Sequence, residues 1–257
     1  MLNKKTRFSF FDYLRSVLST LLFFSLLLIL TPLLVLLLIF TFGKSSSFII
    51  EKVACPIARI SLLVAGVNFS VKKHIDPIPS PAVYIVNHGS TLDALTILAI
   101  GLPDVRFVAK WQFQYNPIFL ILGRLTGQVF IRRERSEKAV NTLKKSVQRI
   151  TRQKLSLLMA PEGSRKHDGV VGPFKKGPFR MAMELNYPIV PIYLEGNNKL
   201  SPGSFMVTKK GAATAHIYPP IDTSEWTSGQ LDDQIEKIRK QYMEWIGVDE
   251  KSNYSFH

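Results

Sequence analysis

The sequence predicts an α/β protein in which helices flank a mixed central sheet, with an N-terminal hydrophobic, membrane-attached helical motif. Two observations support this fold class. Residues 16–42 contain no charged side chain, which is typical of a membrane helix. After Pro81, short apolar runs alternate with helix-like segments, the pattern of an α/β domain. We therefore expect membrane-anchoring helices in residues 1–70 and an α/β domain in residues 71–257.

The composition of the 257-residue chain argues against a globally disordered protein and excludes an intrachain disulfide. Hydrophobic residues make up 46% of the chain, which is enough for a sizeable core. The net charge is +14, and residues 104–180 hold 17 Lys and Arg against 5 Asp and Glu. This basic region predicts an anionic partner, with lipid headgroups, a phosphorylated substrate and nucleic acid as alternatives. Cys55 is the only cysteine, so no thiolate metal cluster can form either.

The first apolar segment, residues 16–42, is predicted to be a membrane helix. The apolar core of a cleaved signal peptide is usually ~7–15 residues, which is much shorter. As one straight helix the segment would measure ~40 Å, more than the ~30 Å of the hydrocarbon layer. Because Pro32 disturbs a helix, two arrangements remain open. Either one tilted helix spans the bilayer, or two short helices break near Pro32 and re-enter one leaflet.

The second apolar segment, residues 48–69, carries three charged side chains. It is predicted to be an interfacial or domain-docking helix rather than another span. The remaining elements follow from the periodicity of apolar residues. Strands are predicted at residues 83–86, 105–109, 129–131, 155–159, 189–194 and 213–218. Helices are predicted at residues 91–100, 117–125, 137–152, 177–185 and 231–245.

A histidine follows the first predicted strand of the α/β domain, a usual place for active sites in open α/β sheets. His88 comes directly after Asn87, and Asp93 lies five residues further on. A carboxylate bonded to one imidazole nitrogen fixes the tautomer, so the other nitrogen can take a proton from a substrate hydroxyl. Residues 90–93 also match a capping box, which explains Asp93 without any chemistry. Downstream motifs decide between these two interpretations.

The strand at residues 155–159 leads into a turn that joins a carboxylate to a guanidinium. The turn contains Glu162, Gly163, Ser164 and Arg165. Arg forms bidentate bonds to phosphate oxygens, which suits a phosphorylated substrate. The alternative is a tight turn closed by a local ion pair between Glu162 and Arg165.

Further cations occupy similar positions along the chain. Lys110 ends one predicted strand, Arg133 follows another, and Lys175 lies in a glycine-flanked loop before a helix. Backbone donors at a helix start, with cations nearby, are typical of an anion site. A solvated basic loop explains each position equally well when it is taken alone. Together with the turn at residues 161–165, these positions make four sites of the same basic character, and their number favours the anion site.

Together these motifs resemble the glycerolipid acyltransferases, a family typified by 1-acylglycerol-3-phosphate acyltransferase. Four blocks agree in order and spacing. They are His-x4-Asp at residues 88–93, Gly-x-x-Phe-Ile-x-Arg at 127–133, Pro-Glu-Gly-Ser-Arg at 161–165, and a proline-bracketed strand at 188–191. A lone His-x4-Asp is common by chance, whereas four ordered blocks are specific. The resemblance covers roughly residues 70–220.

The resemblance implies a role for each matching residue. His88 would be the general base and Asp93 its orienting partner. The acceptor, chiefly its phosphate, would be bound by Arg133, Glu162, Gly163 and Arg165. Lys110, Ser164 and Lys175 complete the expected substrate-binding set. Arg132 departs from the family pattern, since many members have an acid there, and it leaves the acceptor headgroup open; Ala160 replaces a bulkier apolar residue.

The implied activity is transfer of a fatty acyl group from an acyl thioester to the sn-2 hydroxyl of 1-acylglycerol 3-phosphate. The product would be phosphatidic acid for phospholipid synthesis. No metal and no cofactor are expected, because the thioester of coenzyme A or of acyl-carrier protein is a co-substrate. The expected partners are membrane lipids, 1-acylglycerol 3-phosphate (lysophosphatidic acid) and the thioester of coenzyme A or of acyl-carrier protein. The active site is expected on the cytoplasmic side of the membrane. Nucleic acid is not expected, since no recognised motif accompanies the charge.

Two other functions remain open. The chemistry would be the same if the acceptor were glycerol 3-phosphate, another lysophospholipid or a lyso-aminolipid. Alternatively, the chain is a non-enzymatic membrane protein that binds anionic lipid through its cations, with the His88–Asp93 pair as a capped helix. That function predicts that Asp93→Asn has no effect. The oligomeric state and the acyl-chain preference are left open by the sequence.

Overall fold

The computed structural model describes residues 7–132, 136–163, 171–202 and 207–247 of the chain. At its centre is a seven-stranded sheet with the strand order β1-β7-β6-β2-β5-β3-β4. The strands are β1 (Val67–Lys73), β2 (Val83–Val86), β3 (Val105–Lys110), β4 (Val129–Ile131), β5 (Ser156–Met159), β6 (Ile189–Glu195) and β7 (Gly211–Ile217).

The sheet is mixed, as the sequence predicts. Parallel pairing joins β6, β2, β5, β3 and β4 in turn, and β1 is parallel to β7, but β6 and β7 are antiparallel. The carboxyl ends of β6, β2, β5, β3 and β4 therefore meet at one edge of the sheet. We call this the carboxyl edge; it is where open α/β sheets bind their ligands.

The first helix, α1 (Phe10–Phe40), is continuous through Pro32, so the structure does not contain the alternative break at that residue. Ser9 and Asp12 form a capping box at its start, which fixes where the helix begins. Much of its outward surface is apolar; Ile29 is 72% exposed and Phe40 is 78% exposed. Within the described residues α1 is the one helix long and apolar enough to cross a membrane.

The segment predicted as one helix at residues 48–69 is divided in the structure. α2 (Ser46–Phe48) continues through a π-helical turn at Ile49–Ala54 into α3 (Cys55–Val64). Gly66, with a φ of 82°, then turns the chain into β1. The sequence does not predict β1, which begins before the expected domain boundary at residue 70. The division into two domains stays a prediction.

Every other predicted strand and helix is present, with ends that differ by at most two residues. A 3₁₀ turn at Trp111–Tyr115 and the short α8 are additional. The remaining helices are α4 (Asp93–Ile100), α5 (Pro117–Leu125), α6 (Ser136–Arg152), α7 (Gly177–Leu185), α8 (Asn197–Leu200) and α9 (Leu231–Ile246).

Both faces of the sheet are covered, because its central strands are apolar on both sides. All four residues of β2 and all four of β5 are buried. Val83 and Ile85 pack into one cluster with residues of α6, α7 and α9. Tyr84 and Val86 pack into a second cluster on the other face, with residues of α4. This division follows from the alternation of side chains along a strand, and it holds the end of β2 rigidly in place.

Candidate active site

The loop that carries His88 leaves the carboxyl edge directly after β2 and is tied to the neighbouring strand. The amide of Asn87 forms two hydrogen bonds with the backbone of Leu194 near the end of β6. Asn87 Oδ1 accepts from Leu194 N at 2.7 Å, and Asn87 Nδ2 donates to Leu194 O at 3.3 Å. Because both bonds are made to one residue, the first position of the loop is fixed relative to β6.

His88 and Asp93 are in direct contact. His88 Nδ1 lies 2.9 Å from Asp93 Oδ2. The same oxygen accepts hydrogen bonds from Gly89 N at 3.0 Å and Ser90 N at 2.9 Å. Asp93 is 1% exposed and is the first residue of α4, where the helix dipole favours a negative charge. The carboxylate therefore holds both the imidazole and the backbone of the loop.

This arrangement combines the two interpretations of residues 90–93. The bond from Ser90 N to Asp93 is the carboxylate half of a capping box. The hydroxyl half differs: the residue that precedes the helix is Leu92, and no side chain caps it. Ser90 Oγ instead accepts from Leu92 N at 3.1 Å and donates to Ser201 O at 2.5 Å. One carboxylate thus serves the helix start and the histidine together.

A second side chain that bonds to Asp93, that of Asn197, is not predicted by the sequence. Asn197 Nδ2 donates to Asp93 Oδ1 at 2.8 Å and to Thr96 Oγ1 at 2.8 Å. Asn197 follows Gly196, whose φ is 87° and at which an added Cβ would lie 2.6 Å from the Ala212 carbonyl oxygen. The one sign of this residue in the sequence is the pair Gly196-Asn197, which comes just after a predicted strand. With Asn197, both oxygens of the Asp93 carboxylate are held.

Glu162 lies beneath the His88 loop. Its Oε1 accepts from His88 N at 2.7 Å, and its Oε2 accepts from Gly172 N at 3.0 Å. The side chain is directed inward, since the residue is 4% exposed. Burial raises the pKa of the Glu162 carboxyl to about 7, against the two backbone donors, which lower it. In this position Glu162 supports the backbone of His88.

The other predicted binding residues are divided between described and undescribed parts of the chain. Lys110 ends β3 at the carboxyl edge and is exposed. Lys175 is also exposed, and an added Cβ at Gly163, where φ is 68°, would lie 2.9 Å from its Nζ. Gly163 is thus the residue that lets this lysine lie against the turn. Three further predicted residues, Arg133, Ser164 and Arg165, lie outside the described residues.

The outer part of the His88 imidazole is accessible to solvent. The His88 side chain is 23% exposed, and its Nε2 makes no hydrogen bond to the residues described here. Since a carboxylate only accepts, Nδ1 carries the ring proton and Nε2 keeps a lone pair. Such a nitrogen can accept a proton from a hydroxyl group. Among the described residues, no group of three or more His, Cys, Asp and Glu is placed to hold a metal ion.

The chain is similar in sequence to known acyltransferases. Residues 70–195 match the family model described as Acyltransferase. The chain is 34% identical over 171 residues to a 1-acyl-sn-glycerol-3-phosphate acyltransferase of Limnanthes douglasii, covering 66% of the chain and 60% of that relative. It is 34% identical over 155 residues to the enzyme of the same name from Haemophilus influenzae, covering 60% of the chain and 63% of that relative. The chain thus spans about 60% of the length of these curated relatives.

One solved structure has the same fold. It is the crystal structure of the 1-acyl-sn-glycerophosphate (LPA) acyltransferase PlsC from Thermotoga maritima, with a TM-score of 0.70 at 22% identity. The match covers 95% of the chain and 100% of that protein. Helices and sheet therefore correspond over nearly the whole chain.

Proposed function

We propose that this chain, whose residues 70–195 match the family model described as Acyltransferase, transfers a fatty acyl group from a thioester to the sn-2 hydroxyl of 1-acylglycerol 3-phosphate. The acyl group becomes the sn-2 ester of phosphatidic acid, and the rest of the donor leaves as a free thiol. The observation that carries the proposal is the His88–Asp93 pair at the end of β2, with Nε2 of His88 open to a substrate. The names of the relatives support the choice of acceptor.

In the proposed mechanism His88 acts as general base and then as general acid. Nε2 takes the proton of the acceptor hydroxyl as its oxygen attacks the thioester carbonyl carbon. The tetrahedral intermediate collapses by breaking the C–S bond, and His88 returns the proton to the thiolate. Asp93 stabilises the imidazolium that forms between these steps. No covalent bond to the protein is needed.

The oxyanion of the intermediate needs hydrogen-bond donors. The amides of Gly89 and Ser90 are adjacent to His88, but both already donate to Asp93. Releasing either amide would remove a bond that orients the Asp93 carboxylate. We therefore place the oxyanion donors outside this pair of amides.

The acceptor phosphate is proposed to bind to cations at the carboxyl edge. Lys110 and Lys175 are the described candidates, and Arg133 and Arg165 retain the role that the sequence motifs predict. For Glu162 we propose a different role from the predicted one. Its two oxygens bond to backbone amides, and a carboxylate repels phosphate, so Glu162 positions His88 rather than binding the acceptor.

We infer that α1 attaches the protein to a membrane. Its length and apolar surface suit a bilayer, and the acceptor and product are membrane lipids. Attachment brings the carboxyl edge close to the lipid substrate without diffusion through water. The cytoplasmic side is proposed for the active site, because acyl-carrier protein and coenzyme A thioesters are soluble donors.

The proposal is tested with the full-length chain in detergent micelles, given 1-acylglycerol 3-phosphate and a labelled acyl thioester. We expect labelled phosphatidic acid, and slower product formation with glycerol 3-phosphate or another lysophospholipid. His88→Ala should reduce the rate by about 10²–10⁴-fold, the usual size of general-base assistance. His74→Ala is the matched control, since His74 is an exposed histidine bonded to His216. Absence of labelled product from the wild type, or a His88→Ala rate near the wild-type rate, contradicts the proposal.

A further inference from the structure

A cavity of about 710 Å³ lies along β4, the outermost strand next to β3. The 3₁₀ turn, α5 and α6 enclose it with β4. Four cationic side chains and two supporting side chains define it, and we call it the edge pocket: Arg124, Arg132, Lys145, Arg149, Trp111 and Gln114. Among the described residues that line it there is no Asp or Glu. Among its described lining residues, the edge pocket therefore concentrates positive charge without an acidic side chain.

The three arginines of the edge pocket are held in place, unlike the cations of a solvated basic surface. The Arg132 guanidinium lies 4.6 Å from the centroid of the Trp111 ring, a cation–π contact. Arg124 Nε donates to Gln114 Oε1 at 2.9 Å. Arg149 Nη2 donates to the carbonyl oxygen of Gly127 at 2.7 Å. Fixed guanidinium groups lose little conformational freedom when an anion binds.

Two buried donors of the edge pocket are unsatisfied within the described residues. Gln114 is 7% exposed, and its Nε2 has no hydrogen-bond partner. Nε of Arg149 is also buried without a partner, and burial lowers the pKa of this guanidinium. Buried polar groups are normally hydrogen-bonded, so such donors call for an explanation. A ligand with several acceptor oxygens supplies one.

The position of the edge pocket separates it from the acceptor site. β4 lies three strands from β2, which is about 14 Å at the usual strand spacing. Four bonds join the sn-2 oxygen of 1-acylglycerol 3-phosphate to its phosphorus, roughly 5 Å at the reach of an extended chain. With its hydroxyl at His88, this acceptor brings its phosphate to a cation at the end of β3 or β4 only where that side chain extends toward β2. Its phosphate does not enter the edge pocket at the same time.

The acyl donor has the required length. Thirteen bonds join the sulfur of a coenzyme A thioester to its first phosphorus, roughly 15 Å when extended. Beyond that phosphorus lie a second phosphate and the 3′-phosphate of the nucleotide. The acyl group of a carrier protein is linked through a single phosphodiester, so this arm brings one phosphate where coenzyme A brings three.

We propose that the edge pocket binds the phosphorylated nucleotide of a coenzyme A thioester, so that the donor extends along the carboxyl edge from β4 to His88. This inference rests on the proposed function and names the acyl donor that the function uses. The four cations bind the phosphates, and the Gln114 amide donates to a phosphate oxygen. The thioester carbon then reaches the hydroxyl at His88.

Binding of adenosine 3′,5′-bisphosphate tests the edge pocket without any acyl transfer. Titration calorimetry should show binding to the wild type and about tenfold weaker binding to Lys145→Glu, because one nearby charge is reversed. Lys237→Glu is the matched control: Lys237 is exposed on α9, and its reversal should leave the affinity unchanged. Equal affinities for wild type and Lys145→Glu overturn the proposal.

Steady-state kinetics identify the ligand among phosphate-bearing substrates. For Lys145→Glu we expect the KM of acyl-coenzyme A to rise about tenfold, with kcat and the KM of the acceptor unchanged. The KM of acyl-pantetheine, which has no nucleotide, should be the same in both proteins. A rise in the acceptor KM alone assigns the pocket to lipid phosphate and overturns the proposal. If the wild type transfers no acyl group, the proposed function fails, while the calorimetry still tests the pocket.

Discussion

Two regions of the sheet, the carboxyl end of β2 and the edge pocket along β4, use buried polar groups in opposite ways. At β2, each carboxylate oxygen of Asp93 and Glu162 accepts a hydrogen bond, and the donors are backbone amides, His88 and Asn197. At β4, the edge pocket has four cationic side chains and no Asp or Glu among its described lining residues. Within the described residues, Gln114 Nε2 and Arg149 Nε have no hydrogen-bond acceptor. The carboxylates near β2 are satisfied without a ligand, whereas we propose that the donors of the edge pocket are satisfied by one.

This difference indicates a division of labour. A group that transfers protons must be held in one orientation, and the satisfied network around His88 achieves that. A site that binds an anion must keep donors and positive charge available, which the edge pocket does. We therefore expect substitutions near β2 to lower kcat and substitutions near β4 to raise the KM of the acyl donor.

The largest effect is expected from Asp93→Asn. An asparagine side chain has one acceptor oxygen, so it cannot accept from His88 Nδ1 and the loop amides and also from Asn197. The imidazole then loses its preferred tautomer, and kcat should fall by up to about 10⁴-fold, the loss caused by the same change in a Ser-His-Asp triad. The measurement is kcat at saturating substrates, with circular dichroism to confirm folding. Unchanged kcat would instead support a merely capped helix.

Glu162 predicts a pH dependence of stability. Burial raises its pKa from the ordinary 4.5 to about 7, so the folded protein keeps the proton while the unfolded chain loses it. The free energy of unfolding should therefore fall as pH rises from 4.5 to 7, by up to about 3 kcal/mol. Urea titrations across this range should show a smaller fall in Glu162→Gln. Glu244→Gln, an exposed control on α9, should behave as the wild type, and identical pH profiles for all three proteins contradict the account.

Asn197 should act on catalysis through Asp93. Removal of its bond in Asn197→Ala leaves Asp93 Oδ1 without that donor, and bonds to charged groups contribute ~1.5–3 kcal/mol. We expect kcat to fall about tenfold with both KM values unchanged. Asn68→Ala, in an exposed position on β1, is the control. An increase in KM without a change in kcat would place Asn197 in substrate binding instead.

The smallest effect is expected from salt. Between 0.1 M and 1 M the Debye length falls from ~10 Å to ~3 Å, and exposed charges are screened more than buried ones. The KM of acyl-coenzyme A should rise a few-fold, while kcat, which depends on the buried His88–Asp93 pair, should hold. Acyl-pantetheine serves as the uncharged comparison. Equal salt sensitivity of both donors would remove the electrostatic role of the edge pocket.

Local patterns in the sequence were enough for most of the fold. The apolar runs of β2 and β5 are buried on both faces, and such strands are recognisable from composition alone. β1 was missed because it lies at the end of a longer apolar segment. Its partner β7 pairs Val67 with Gly211, a contact between distant parts of the chain that no local pattern contains.

The candidate site was predicted in part. Its motifs placed His88 and Asp93 close together, since five residues across a strand-to-helix turn leave little choice. Asn197 lies 104 residues from Asp93 in sequence and could not be found by spacing. The motif around Glu162 indicated a functional strand end, but it did not reveal that the carboxylate is directed inward to the backbone of His88.

The most direct test of the central claim is a double-mutant cycle of His88→Ala and Asp93→Asn, read as kcat at saturating thioester and acceptor. If the two side chains act as one unit, their losses do not add. The account predicts that the double variant is no slower than His88→Ala alone. Losses that multiply, or substantial acyl transfer by His88→Ala, would contradict it.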